Sequence, residues 1–412
     1  MAQRLNRCLL HRNCARRAVV QGAILGAFFT IAQMPAAGAE RINAALPQSK
    51  AEARIIRVGP ERTLRSISAA ARLARDNDTI EVDAGEYYGD VAVWGQDGVT
   101  VRGVGGRVRL IASGASAENK AIWVVRGGSM TIENIEFVGA RVPDKNGAGI
   151  RFEKGRLIVR NCLFQDNENG ILTSNDKNGE LAIENSEFGR NGRGDGQSHN
   201  LYVGNIRKLQ VMGSYFHHGQ AGHLLKSRAA ESFILYNRLT DEIAGRASYE
   251  LEFPSGGVAY VIGNIIHQSS QTENTAIVSF GAEGYSWPSN ELYLVNNTLA
   301  NDLRGKGYFL RIRNGVNRVK VFNNLLVGQG LLEKAPHGEY RNNLHIGWGE
   351  LATIGGLDYR LNARSMLVGR IEDPLEENSF GLTPVREYVH PRKSRILESA
   401  ISVPGALQSL AP

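Results

Sequence analysis

Glu250 and Glu252 stand two residues apart in the segment "ASYELEFPSGG" (residues 247–257), whose alternation of polar and apolar residues is that of a β-strand. Residues i and i+2 of a strand share a face, so the two carboxylates repel unless something neutralises or uses them. Two cations stand one segment earlier, Lys226 and Arg228 in "GHLLKSR" (222–228), with His223 beside them. The segment before that, "HNLYVG" (199–204), supplies His199, Asn200 and Tyr202, and a later loop, "GAEGYSWPSN" (281–290), carries Glu283, Tyr285 and Trp287. Alternation places Tyr249, Leu251 and Phe253 inward and Ser248, Glu250 and Glu252 outward. It likewise places Leu201 and Val203 inward with Asn200 and Tyr202 outward, and Leu225 inward with Leu224, Lys226 and Arg228 outward. A fourth segment, "TAIVSFG" (275–281), reads in either phase.

Proton abstraction beside a carboxylate needs a cation to neutralise that carboxylate, a base, and an acid for the leaving oxygen. A lysine acts as base where neighbouring positive charge and partial burial favour its neutral form, and Lys226 beside Arg228 suits that role. Tyr202 or His199 is the candidate acid. Arg228, or a calcium ion held by Glu250 and Glu252, is the candidate neutraliser. Asn200, His223, Tyr249, Glu283 and Trp287 are candidate substrate-binding residues, with the aromatic loop as a platform for a sugar ring. His199, His217, His218 and His223 are close in sequence, but they scatter over inward and turn positions rather than forming a transition-metal set.

These segments must be stacked by a scaffold, and a repeat supplies it. "TIENIEF" (131–137), "VRNCLF" (159–164), "IENSEF" (183–188), "VMGSYF" (211–216), "LYNRLT" (235–240), "IGNIIH" (262–267), "VNNTLA" (295–300) and "VFNNLL" (321–326) share one pattern. Its asparagine slot falls at Asn134, Asn161, Asn185, Gly213, Asn237, Asn264, Asn297 and Asn323, at an average spacing of about 27 residues. Units this short leave no room for a helix beside their strands and bury no core alone, so they must stack. One slot filled by asparagine predicts a ladder of side-chain amides along the stack. Asn296-Asn297-Thr298 lies within the repeat and reads as part of that ladder rather than as a glycosylation site.

The pattern resembles the right-handed parallel β-helix superfamily of pectate lyases and related carbohydrate enzymes, over residues 55 to about 370. "TLRSISAAARLARDNDTIEVDAGEYY" resembles that superfamily's opening, with a capping helix at 64–75, and "DYRLNARSMLVG" (358–369) resembles its closing strand. The resemblance implies an all-β solenoid with a short N-terminal helical cap and a tail, 371–412, packed on its exterior. The E-x-E pair next to a Lys/Arg rung is similar to the calcium-and-lysine arrangement of chondroitinase B and its alginate lyase relatives. That likeness implies an acidic, uronic-acid polysaccharide as substrate, and β-elimination or C5-epimerisation as reaction. In that family an asparagine completes the calcium site; here Asn200 is two rungs from Glu250, and Asn274 or Glu283 lies nearer. The rival enzyme is a glycoside hydrolase using Glu250 and Glu252, since two carboxylates at strand spacing fall in the range such enzymes use. The rival outside enzymes is a polysaccharide-binding or cell-envelope scaffold protein.

The remaining bounds come from composition. Residues 1–39 combine a paired arginine, Arg16-Arg17, a short apolar run and an A-x-A-type end at Ala37-Gly38-Ala39, the pattern of a twin-arginine-like export signal. A linker, 40–54, follows, and a periplasmic or secreted location is expected. The apolar run is short and interrupted by Gln21 and Thr30, so no stable membrane anchor is expected. The formal net charge of +7 owes most of its excess to Arg4, Arg7, Arg12, Arg16 and Arg17 of this segment, so it gives no argument for nucleic acid. Cys8 and Cys14 lie there too, which leaves Cys162 without an intrachain disulfide partner. A monomer acting on a polysaccharide is the resulting expectation.

Overall fold

The computed structural model describes residues 54–305, 307–352 and 358–411; the expected export signal and all but the end of the linker lie outside the described residues. The chain is an all-β parallel β-helix of about ten turns. Each turn of its body contributes one strand to each of three faces. Strands such as Glu180–Glu184, Lys208–Met212 and Glu231–Leu235 form the first, and Glu187–Gly189, Tyr215–His217 and Arg238–Thr240 the second. These two faces join into one twenty-one-stranded parallel array through the first strands of the helix, and the third is a separate ten-stranded sheet. The third runs from Ala92–Trp94 through Leu201–Val203, Leu225–Ser227 and Leu251–Phe253 to Leu331–Leu332.

In-register pairing puts like side chains one above another, and this is how so short a repeat builds a core. Phe137, Phe164, Phe188 and Phe216 occupy equivalent positions on successive turns. Their rings stack face to face at 5.0, 4.6 and 4.6 Å, and all four are fully buried. Each ring therefore covers the next, and no single turn has to enclose its own.

The asparagine slot resolves into two adjacent columns. Asn134, Asn161, Asn185, Gly213, Asn296 and Asn323 take positive φ at the bend between the first two faces, where asparagine and glycine are tolerated best. Asn237, Asn264 and Asn297 sit one position further on, in a buried ladder that continues through Asn324 to Asn343. From Asn264 onward each Oδ1 accepts the backbone N–H and the Nδ2–H of the asparagine one turn earlier, as Asn264 does from Asn237 at 2.9 and 3.1 Å. Upstream the same position is filled by Ser186 and Ser214. The expected single slot thus mixes two columns, because the repeat carries Asn-Asn doublets at 296–297 and 323–324 and the sequence does not say which member faces in.

The capping helix is shorter than expected, Ile67–Leu73. Ser66 caps it by accepting from the Ala69 N–H, and the carboxylate of Asp90 takes the Ile67 and Ser68 N–H groups at 2.6 and 2.8 Å. Ile67, Ala70 and Ala71 face the core end. At the far end, 358–369 is not a closing strand. The last strands of the large parallel array are Glu339–Arg341 and Leu344–Ile346. Tyr359 and Leu361 instead pack with Ile265, Ala300, Leu325 and Val327 against the outside of the second face. The tail continues there as two small hairpins, burying Tyr388 and Val403 in the same cluster and Leu382 among Tyr236, Tyr260 and Tyr293.

Candidate active site

The register of the third sheet fixes which residues meet. Tyr202 pairs with Lys226, Lys226 with Glu252, Glu252 with Ser279 and Ser279 with Arg311. These five positions form one column on the outer face, about 4.8 Å per rung. Arg228 follows directly on the end of the strand Leu225–Ser227, two residues after Lys226, and the loop carrying Glu283 reaches both cations.

Glu283 is the centre of the polar contacts, although its side chain is 50% exposed. Its carboxylate meets the Arg228 guanidinium at 2.7 and 2.8 Å and the Lys226 ammonium at 3.3 Å. The Arg228 bond, above all, holds Glu283 below the usual carboxylate range. Arg228 also donates to the Tyr202 hydroxyl at 3.1 Å and to the Ser255 hydroxyl at 2.9 Å. Burial works against its charge, but the bonds to Glu283 and Tyr202 prevail and strengthen the guanidinium's hold on its proton. Trp287 donates its indole N–H to the Arg228 carbonyl at 3.0 Å and is half-buried; it braces this strand.

Below this layer lies a second one. Glu252 accepts from Lys226 at 3.1 Å and lies 2.8 Å from the His223 Nε2. Burial disfavours its charge, but His223 and Lys226 outweigh it and the carboxylate stays ionised. His199 accepts the His223 backbone N–H on Nδ1 at 2.9 Å, so its ring proton belongs on Nε2. Burial, then the charges of His223 and Lys226, hold His199 neutral. Its ring stacks on Tyr202 at 5.4 Å and meets His223 edge-on at 4.5 Å. Tyr249, expected inward, is half-exposed and lies 5.0 Å from the His223 ring.

Two expected members of the site are elsewhere. Asn200 is fully buried in another asparagine ladder: it accepts the Asn191 Nδ2–H at 2.8 Å and donates to the His217 carbonyl at 2.9 Å. Glu250 is also fully buried. It is level with Leu224, likewise expected outside, since Leu225 pairs with Leu251, and Leu224 and Ile277 are both core residues. The chain bends before the three-residue strand Leu251–Phe253, so two consecutive residues, 250 and 251, face inward. The doublets Leu224-Leu225 and Ile277-Val278 in the neighbouring rungs were the signal for this.

Glu250 and Glu252 therefore point to opposite sides of the sheet and form neither a calcium pair nor a two-carboxylate hydrolase pair. Neither Glu250 oxygen has a hydrogen-bond partner among the described residues. Burial, then the nearby charge of Asp241, pushes the Glu250 carboxyl well up, which favours its neutral form and suits it poorly to a cation. Glu252 already serves Lys226 and His223. The residues present do not fit calcium, and among the described residues no three His, Cys, Asp or Glu side chains converge as a metal set. His217 and His218 form a separate pair, 2.7 Å between their Nδ1 atoms.

The buried acid has a measurable consequence. An acid that holds its proton more tightly folded than unfolded contributes stability below its unfolded pKa of about 4.3, and that contribution is lost as pH rises toward the folded value. Glu250→Leu, which matches its column neighbour Leu224, should remove this loss. We expect the variant to gain about 1–3 kcal/mol over wild type at about pH 8 and less at about pH 4, read from denaturant unfolding at both pH values. Parallel pH dependence of the two proteins would contradict the buried, neutral carboxyl.

No family model and no curated protein matches the chain. Among solved structures, the crystal structure of pectate lyase Pel9A matches with a TM-score of 0.52 at 14% identity, over 86% of this chain and 96% of that one. Geobacillus virus E2 ORF18 matches with a TM-score of 0.39 at 10% identity, over 66% of this chain and 53% of that one, too remote to carry an argument. The likeness to Pel9A establishes the parallel β-helix fold. At that identity, substrate and reaction must be argued from the side chains.

Proposed function

We propose that the outer face of the third sheet binds an acidic polysaccharide and abstracts the proton next to a uronate carboxylate. The observation that carries this reading is Glu283 itself: a half-exposed carboxylate seated between Lys226 and Arg228. A substrate carboxylate has the same charge and shape, and would take that seat with Arg228 as its bidentate partner. Ser255 and Tyr202 hold the guanidinium in place from behind.

Lys226 is the base of this scheme and takes the proton from the carbon bearing the carboxylate. In elimination the released electron pair forms the new double bond, the bond from the neighbouring carbon to the glycosidic oxygen breaks, and that oxygen collects a proton from Tyr202. In epimerisation no bond to oxygen breaks, and a proton returns to the same carbon from the opposite face. His199, buried behind Tyr202, positions the phenol by stacking. Glu252, set by His223, holds the Lys226 amine toward the groove. The export signal expected in residues 1–39 would deliver this activity to the periplasm or beyond.

One observation favours a second reading. Lys226 bridges Glu252 and Glu283, and a hydrolase acting on neutral glycans would use such a pair of acids. A panel of uronic-acid polymers and neutral glycans separates the two. Elimination gives an unsaturated, ultraviolet-absorbing product; hydrolysis gives new reducing ends without it. Unsaturated product that is unaffected by a calcium chelator is the expected result.

A further inference from the structure

Beyond Glu252 the outer column continues into a cavity of 430 Å³, whose lining includes Tyr249, Ser279, Arg311, Arg313 and one carboxylate, Glu333. Its charge is unlike that of the Lys226–Arg228 cradle, where Glu252 and Glu283 already answer both cations. Arg311 and Arg313 are exposed. The Arg311 guanidinium lies over the Tyr308 ring at 5.3 Å, and Arg313 donates to the Ala282 carbonyl at 3.4 Å. Neither has a carboxylate partner among the described residues. Glu333, the acid of this cavity, spends one oxygen on the Ile312 N–H at 2.9 Å. The cavity thus offers two guanidiniums, a serine hydroxyl and the Tyr249 ring. These are the parts needed to hold a charged sugar by its carboxylate and its face.

We propose that this cavity is a second anion subsite, which takes the carboxylate of another uronic-acid residue of the chain whose reacting residue sits at Lys226 and Arg228. The inference rests on the acidic-polysaccharide reading and adds a direction to it. Arg311 is three rungs from Lys226 in the same column, about 14 Å at 4.8 Å per rung. The polymer therefore lies along the axis of the solenoid, across successive turns, rather than around one of them. Tyr249 stands between the two subsites, touching His223 on one side and lining the cavity on the other.

The test compares short and long ligands. Wild type and Arg311→Gln/Arg313→Gln are titrated calorimetrically with hexamers and dimers of polygalacturonate, alginate and chondroitin. Both arginines are exposed, so an unchanged melting temperature is expected. For the hexamer that wild type binds, the double variant should bind about tenfold to a hundredfold more weakly, with a shallower dependence on salt. Dimer binding, confined to the cradle, should not change. Hexamer binding within twofold of wild type overturns the subsite while leaving the acidic-polysaccharide reading intact. Failure of wild type to bind any hexamer overturns both.

Discussion

Lys226→Ala is expected to lower turnover of the uronic-acid substrate by about a hundredfold to ten-thousandfold with no loss of folded protein. The side chain is only 12% exposed, yet it lies on the outer face, and its removal leaves Glu252 with its His223 partner. The sharper variant is Lys226→Arg. A guanidinium can keep the charge and the contacts to Glu252 and Glu283, but it does not give up a proton at ordinary pH. If Lys226 is the base, Lys226→Arg binds substrate and fails to turn it over, so kcat falls while KM stays near the wild-type value. Retained turnover in Lys226→Arg would reduce the lysine to an electrostatic part and move the base elsewhere.

The second large effect is on stability. Asn264 sits fully buried in the middle of the amide ladder. Its Oδ1 accepts from the Asn237 N–H and Nδ2–H, and its Nδ2 donates to the Ile234 carbonyl and the Asn297 Oδ1 at 2.7 and 3.0 Å. Asn264→Ala strips partners from several groups that water does not reach, which should cost about 3–5 kcal/mol. Asn134→Gly, at a positive-φ bend in the more exposed column, should cost less than about 1 kcal/mol. Denaturant unfolding of both variants checks the contrast. Equal losses would mean that the two columns share the load.

How much of this was readable beforehand follows from the physics of the repeat. Spacing and short strands announced a stacked solenoid, because such units have no other way to bury a core. Lys226, Arg228, Tyr202, Glu252 and Glu283 were legible as neighbours once stacking was assumed, since in-register rungs carry outward residues into one column. Strict alternation misled at Glu250, Tyr249 and Leu224, because a three-residue strand between bends does not have to keep a period of two across its ends. Asn200 looked available on the same ground, and only its hydrogen bonds reveal a ladder. Ser279 was missed because "TAIVSFG" reads in either phase, and Arg311 and Arg313 because their segment, around the strand Tyr308–Ile312, joins the column only through its pairing with that one. The pairing of Glu252 with Ser279 and Ser279 with Arg311 sets that phase. Trp287 was legible as an aromatic at the site, but its indole is bonded to the Arg228 carbonyl.

The most direct test of the central claim is proton exchange at the carbon bearing the carboxylate. Purified protein is incubated in deuterated water with each uronic-acid polymer, and the products are read by proton magnetic resonance. Both elimination and epimerisation break that carbon–hydrogen bond, so one experiment covers either outcome. The account predicts, for at least one polymer, either signals of a new ring double bond or deuterium in place of the ring hydrogen, and neither with Lys226→Ala. New reducing ends from a neutral glycan, with every ring hydrogen of the uronic-acid polymers retained, would contradict it.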